Sequence, residues 1–493
     1  MKHLESLTHS TNTEYILKFL ETANHGRVSD LPTLIDANGV RAALNHLEPK
    51  VAFRMIQLLP KLIRKQIVTV GEIAGTEPFV DIPNEEISQA LAQQPIPVRF
   101  PVVEFDEAIG KYTGTLARAL VFPWEMSRSI GCPRSMSLPP KLGGSEKTAF
   151  VVFDRTTQGD SGQLAIAVAL ESGRESDSVL FSGTVGQDGS VGNVDYWDEK
   201  EVTCRQSHCL LLGATHVHTV KQAVELTFSD PLDVPVLLHV HEESPHDSYS
   251  KLFLAADLPY PESGLFRLLG LSSDDLCRAD QRMLSPLPED WQNTIKECRS
   301  WLHNCMAQVP NRRMRFHLGF RMPSDLALAL GCITRGKKTG GVIPYQYKEQ
   351  SYYPVAGEGL EPIPTPEMKV VIEDFGADEG SEPLIGLKIG PADIKRDLVR
   401  WCGKKQCPMI YVEPESPDFS LPPGDWQGLA DDLGNLIRDH MEERCQLVLN
   451  MPLGLAFLLG RTLSYYRDID VFHLENGTYH PVFNLLKLKP LAL

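Results

Sequence analysis

The sequence predicts a mixed α/β chain made of a helical segment, a central α/β domain and a duplicated C-terminal α/β domain. Three observations lead there. Apolar residues recur at helical spacing over the first 95 or so positions, strand-like and helix-like runs alternate from about 100 to 255, and the last 210 or so residues repeat one ordered set of signals. At 493 residues the chain is too long for one core, and about 100–200 residues per domain gives three.

The helical segment, 1–95, rests on Tyr15-Ile-Leu-Lys-Phe-Leu, Val40-Arg-Ala-Ala-Leu and Ala52-Phe-Arg-Met-Ile-Gln-Leu-Leu. The stretch QQPIPVRFP marks a boundary, because closely spaced prolines break helices. Between 96 and 255 the runs TAFVVFD, LAIAVALES, SVLFSG and VPVLLHVH alternate as an α/β domain would. Residues 256–284 read as a linker, and 285–493 as the duplicated domain with repeats 285–366 and 367–493. Asp290-Trp-Gln, Met322-Pro323 before LALALG, and Tyr352-Tyr-Pro-Val recur as Asp425-Trp-Gln, Met451-Pro452 before LAFLLG, and Tyr479-His-Pro-Val, at offsets of 135, 129 and 127 residues. MKVVIEDF, LIGLKIG and MIYVEP give the second repeat more sheet. Two related lobes create a cleft suited to a ligand that is itself pseudo-symmetric.

Composition narrows the function. No apolar run approaches the roughly 18–20 residues of a membrane span, and MKHLESLTHSTNTEY lacks the apolar core of a signal peptide, so a cytoplasmic protein without membrane contact is expected. The ten cysteines include no CxxC pair, and Cys402-x4-Cys407 reads better as reduced buried thiols than as metal ligands. His216 with His218, and His239 with His241 and Glu242, place alternate histidines on a strand face; polar strand faces look the same, and no metal is expected. A formal charge of −16 argues against affinity for long nucleic acid. Inside this acidic chain, Asn311–Lys338 carries seven cations and one acid, either a solvated basic face or a local phosphate site.

Gln158-Gly-Asp-Ser-Gly162 follows an apolar strand and precedes an apolar helix, a junction that exposes a serine hydroxyl at a helix N-terminus, where free amides stabilise an oxyanion. Taken alone such a string is a turn. The segment resembles the proteolytic domain of the Lon family, in order along the chain: Ser161, then Ser182-Gly-Thr-Val for T-G-E-V, Gly189-Ser-Val, VDYWDEK ending in Lys200, and Leu212-Gly-Ala-Thr-His-Val. The resemblance covers about 150 residues and implies a catalytic dyad of Ser161 and Lys200. Asp160 for proline, Gly162 for alanine, Thr184 for glutamate and Asp195-Tyr196 for a glycine pair depart from the pattern, touching the substrate groove more than the dyad. A lysine serves as base once desolvation lowers its pKa from about 10.4 towards roughly 7–8. No G-x-x-x-x-G-K-[ST] phosphate loop occurs, so ATP-independent cleavage of an exposed segment of one partner protein is expected.

Each Met-Pro turn leads a strand into a helix whose first amides favour anions. Ser324 and Asp325 are candidate caps for the first, and Gly454 admits close backbone approach in the second. Arg321 precedes the first turn, and Arg335, Lys337 and Lys338 follow its helix, so the basic window brackets the proposed phosphate site. The two turns, the helices ending in Gly331 and Gly460 and the Tyr-x-Pro-Val endings resemble a SAVED domain, two fused CARF-like Rossmannoid lobes of CBASS and type III CRISPR effectors. That resemblance implies a cyclic oligonucleotide ligand, commonly a cyclic oligoadenylate, and ligand-induced homo-oligomers. The ligand-binding set is then Arg321, Met322, Pro323, Ser324, Arg335, Lys337, Lys338, Met451, Pro452 and Gly454, with no cofactor besides this activator.

Together these features suggest a cyclic-oligonucleotide-activated Lon-like serine protease of antiviral defence. The alternatives are a non-enzymatic binding adaptor with a degenerate protease domain, and a housekeeping peptidase whose duplicated domain binds protein.

Overall fold

The structure, a computed structural model, describes residues 18, 35–46, 48–124, 129–132, 138, 147–156, 159–241, 248–308, 312–334, 341–378, 380–416, 419–441, 443–463, 468–475 and 477–489. It divides into two compact units, residues 1–229 with 259–268, and residues 230–258 with 269–493.

In the first unit the helical spacing yields Ala37–Leu44, Pro49–Arg64 and Asn84–Ala92, while the Tyr15–Leu20 stretch, Lys18 apart, lies outside the described residues. Asp36 caps the first of these by accepting from Gly39 N at 2.8 Å, and Pro49 opens the second where a missing N–H costs nothing. They pack on a four-stranded sheet in the order Ile96–Asp106, Lys111–Trp124, Thr148–Phe153, Ile130–Cys132. Period-two alternation divides the faces: Leu120, Phe122, Trp124, Phe150 and Val152 share one core with Val51, Ile56, Leu59 and Ile87. The stretch QQPIPVRFP is therefore a change from helix to strand inside one core rather than a domain boundary. Against the other face lies the helix Gln163–Ser172, with Phe100 and Phe153 edge-on at 6.2 Å.

The second unit begins earlier than the sequence suggests. Leu232–Val240, read with the preceding domain, pairs in parallel with Met314–Arg321 and is an inner strand of a five-stranded sheet. Residues 256–284 are no linker. They hold the helix Glu262–Leu269 and the strand Cys277–Asp280, which pairs with Leu232–Val240. The first sheet runs Cys277–Asp280, Leu232–Val240, Met314–Arg321, Val342–Lys348, Ser351–Pro354. The second runs Met368–Glu373, Met409–Pro414, Leu384–Lys388, Arg444–Asn450, Asp468–Glu475, Thr478–Asn484. Apart from the extra edge strand Met368–Glu373 the two orders correspond strand for strand, each closed by one antiparallel strand.

The lobes join through the helices that follow the Met-Pro turns, Ser324–Ile333 and Leu453–Thr462. A Cβ on Gly331 would overlap the Phe457 carbonyl, and one on Gly460 the Leu328 carbonyl. Both pairs are related by the 129-residue offset of the Met-Pro turns (460 minus 331, 457 minus 328), so the crossing is a pseudo-dyad at which only glycine lets the backbones touch. Among the described residues no helix is long and apolar enough to cross a membrane.

Candidate functional site

The first constellation lies on the hairpin Ile96–Asp106 and Lys111–Trp124, against which the helices Gln163–Ser172 and Trp197–Gln206 both pack. Ser161 sits half-buried in the turn before the first helix. Both glycines around it have structural causes: Gly159 has φ of +90°, open to glycine at little cost, and a Cβ on Gly162 would come 2.7 Å from the Phe100 ring. The Ser161 carbonyl accepts from Gly183 N at 3.0 Å. The first two helix amides are not free for an oxyanion, since Gln163 N donates to Asp160 O at 3.0 Å and Leu164 N to Gly183 O at 3.1 Å.

Lys200 lies in the second helix with 4% of its surface exposed. Burial pushes its ammonium below the ordinary lysine range, against the opposing charges of Asp195 and Glu199. Among the described residues no carboxylate stands within ion-pair distance of it. A continuous set of contacts joins the serine turn to this helix. Gly183, bonded to Ser161, follows Ser182, and a Cβ on Gly213 would lie 2.7 Å from the Ser182 carbonyl and 2.5 Å from Trp197, which opens the Lys200 helix. Ser182 was read from the sequence only as the first residue of the Ser182-Gly-Thr-Val string, with no role of its own. Its hydroxyl is buried and has no hydrogen-bond partner among the described residues.

The second constellation is the carboxyl edge of the two sheets in the second unit. Pro323 and Pro452 occupy the N-cap positions of the crossing helices. Neither Ser324 nor Asp325 caps: the Asp325 carboxylate accepts instead from His473 Nδ1 of the other lobe at 2.7 Å, leaving Oδ1 buried with no hydrogen-bond partner among the described residues. Desolvation raises the Asp325 pKa, against the bond from His473. The pseudo-dyad brings the equivalent positions together through a different bond, from backbone to side chain. Gln346 Oε1 accepts from Gly454 N at 3.1 Å, with Gly454 and Asp325 129 residues apart and His473 and Gln346 127 apart. One copy is neutral and the other titratable.

A cavity of about 640 Å³ opens on this edge between the lobes, lined by Gln346, Tyr347, Lys348 and Tyr353 from one and by Lys388, Phe419, Trp426 and Pro452, among others, from its counterpart. The Arg321 guanidinium stacks over the Tyr347 ring at 5.1 Å, and Lys388 Nζ lies 3.7 Å from Glu413. By register Lys388 pairs with Asn450 and Arg321 with His239, so the cations occupy different strands in the two lobes.

Of the ligand set read from the sequence, Arg321, Met322, Pro323, Ser324, Met451, Pro452 and Gly454 fall along this edge; Arg335, Lys337 and Lys338 lie outside the described residues. The basic window is not one cluster. Arg313, just before the strand that Arg321 ends, and Arg315, near its start, pair with Asp230 at 3.1 Å and with Asp233. The cavity-lining Lys348, Tyr353 and Lys388 were not found from the sequence. The one signal for Lys388 was its place at the end of a parallel strand before Gly390-Pro391. Gln158 and Glu242 lie outside the described residues, and among the described residues no group of three or more His, Cys, Asp or Glu could hold a metal ion.

No protein-family model matches the chain. No curated protein matches it either. Among solved structures it is similar to the Acinetobacter baumannii Cap4 SAVED/CARF-domain containing receptor with the cyclic trinucleotide 2'3'3'-cAAA, at 16% identity over 52% of this chain and 51% of that one, with a TM-score of 0.33. The same receptor with 3'3'3'-cAAA gives 15% identity over 51% and 52%, TM-score 0.33. The Moraxella osloensis Cap4 SAVED/CARF-domain containing receptor gives 15% over 48% and 54%, TM-score 0.29. The chain thus spans about half the length of each receptor it matches.

Proposed function

We propose that the chain is an ATP-independent, Lon-like serine peptidase of antiviral defence, switched on by a cyclic oligonucleotide and directed at one partner protein. The observation that carries the catalytic half is Lys200, a buried lysine with a lowered pKa and no ion-pair partner among the described residues, on a helix tied to the Ser161 turn. In its neutral form the amine takes the proton of the Ser161 hydroxyl as the oxygen attacks a peptide carbonyl. It then returns that proton to the leaving amine, and water hydrolyses the acyl-enzyme ester with Lys200 as base again.

The cavity supports the sensing half. Its aromatic walls suit bases, and the lining Lys348 and Lys388, with Arg321 stacked on the lining Tyr347, suit phosphates. Calorimetry with cyclic tri-, tetra- and hexa-adenylate against wild type, Arg321→Ala and Lys388→Ala tests it. One ring size should bind, and each substitution should weaken it by roughly ten- to a hundredfold, as the loss of about 1.5–3 kcal/mol per charge-assisted contact requires. No binding by any cyclic oligonucleotide, or equal affinity in all three proteins, contradicts the sensing half and leaves the peptidase to stand alone.

A further inference from the structure

The hairpin that supports both helices of the first unit extends to a tip at Asp106–Lys111, and exposed apolar side chains stand in and beside that charged turn. Phe105 is 54% exposed, Ile109 in the turn 58%, Tyr112 48% and Tyr196 43%. Three of the rings form a chain, with Phe105 and Tyr112 edge-on at 5.3 Å and Tyr112 and Tyr196 at 4.6 Å. Tyr196 is the N-cap of the Lys200 helix, and its carbonyl accepts from Lys200 N at 3.2 Å. Its φ of +58° is a left-handed conformation that costs a non-glycine residue about 1–2 kcal/mol. An exposed aromatic ring is thus held in a costly conformation at the first turn of the catalytic helix.

The exposed surroundings are mostly acidic. Asp106 and Glu107 stand at the tip, and Asp195, Asp198 and Glu199 at the helix start, with Lys111 the lone cation of these two segments. Among the described residues none of the five acids is in an ion pair; Glu104, further down the strand, is paired with Arg155 at 3.3 Å. Contiguous exposed apolar surface with a polar rim marks an interaction site. Stacked tyrosines amid unpaired carboxylates favour a cationic, partly apolar partner.

We propose that this acid-rimmed aromatic patch docks the protein substrate, and that the segment it takes carries Arg or Lys interleaved with aromatic or aliphatic residues. Continuity with the Lys200 helix identifies the occupant as substrate, and to that extent the proposal rests on the dyad reading.

The test is selection of a phage-displayed random dodecapeptide library on the full-length chain, with counter-selection on Phe105→Ser/Tyr112→Ser, whose exposed positions leave the core intact. One selected peptide, labelled with fluorescein, is then titrated by anisotropy. Sequences that prefer wild type should be basic and apolar. The labelled peptide should bind about tenfold or more weakly to the double variant, and more weakly to Glu107→Lys and at high salt. It should bind Ser161→Ala as it binds wild type. Failure to select any peptide that distinguishes the two proteins, or selection of acidic or uncharged ones, overturns the proposal. So does a change in sedimentation of the double variant, which would make the patch an interface between copies. A peptide that docks at the patch and is never cut leaves the docking surface standing and removes the dyad. Ser161-dependent peptide cleavage that is indifferent to the patch does the reverse.

Discussion

Burial of Lys200 makes a prediction about rate. Its folded pKa lies below the roughly 10.4 of free lysine, so the neutral amine becomes available at lower pH, and kcat/KM should rise with pH along a limb centred below that value. Lys200→Arg should abolish cleavage, because a guanidinium keeps its proton, and Lys200→Ala should cost about 10²–10⁴ in rate, the usual worth of a general base. A pH–rate profile in which Lys200→Arg keeps near-normal activity would require another base. Asp325 makes a prediction about stability. Because the folded chain holds this proton to higher pH than the unfolded chain, stability should fall as pH rises from the unfolded value, about 3.9, through the folded one. Asp325→Asn cannot ionise, so its thermal midpoint relative to wild type should improve from pH 4 to pH 7; parallel curves would show that the carboxylate is not destabilised by burial. These residues differ in how far the sequence revealed them. Lys200 could be proposed from the ordered flanking strings that surround it, whereas the His473 partner of Asp325 lies 148 residues away in the other lobe, and nothing local marks it.

Among the elements, the crossing of Ser324–Ile333 with Leu453–Thr462 leaves no room for a side chain at either glycine. Gly331→Ala and Gly460→Ala each gain up to about 1 kcal/mol of helix propensity, yet each places a methyl on a partner carbonyl, an overpacking that costs about 1–3 kcal/mol. Both should lower the unfolding midpoint by similar amounts, since the contacts are equivalent. Gly428→Ala, in the exposed first turn of Gln427–His440 with open space around it, should not lower it. Destabilisation in only one member of the glycine pair would break the pseudo-dyad. The turns were legible because proline at an N-cap leaves a local signature. Leu232–Val240 was placed with the wrong sheet because an apolar run states that it is a strand and not which strand it joins. Its partner Met314–Arg321 is about 80 residues on, and the same pairing sets Asp233 against Arg315 and so explains cations that the sequence grouped as a phosphate site.

For the whole molecule, the proposal is that a cyclic oligonucleotide, and not ATP, governs a serine nucleophile; the cavity at the carboxyl edge of the paired lobes supports its sensing half. ATP with magnesium should leave peptidase activity unchanged, and stimulation by ATP hydrolysis in the purified chain would contradict this. The direct measurement is intact-mass analysis of the full-length protein after exposure to a fluorophosphonate serine probe, with and without the cyclic adenylate that calorimetry shows to bind. A single adduct at Ser161 is expected, increased by ligand and lost in Lys200→Ala. No adduct at Ser161 under any condition, or equal labelling of Lys200→Ala, would contradict the ligand-governed serine–lysine dyad.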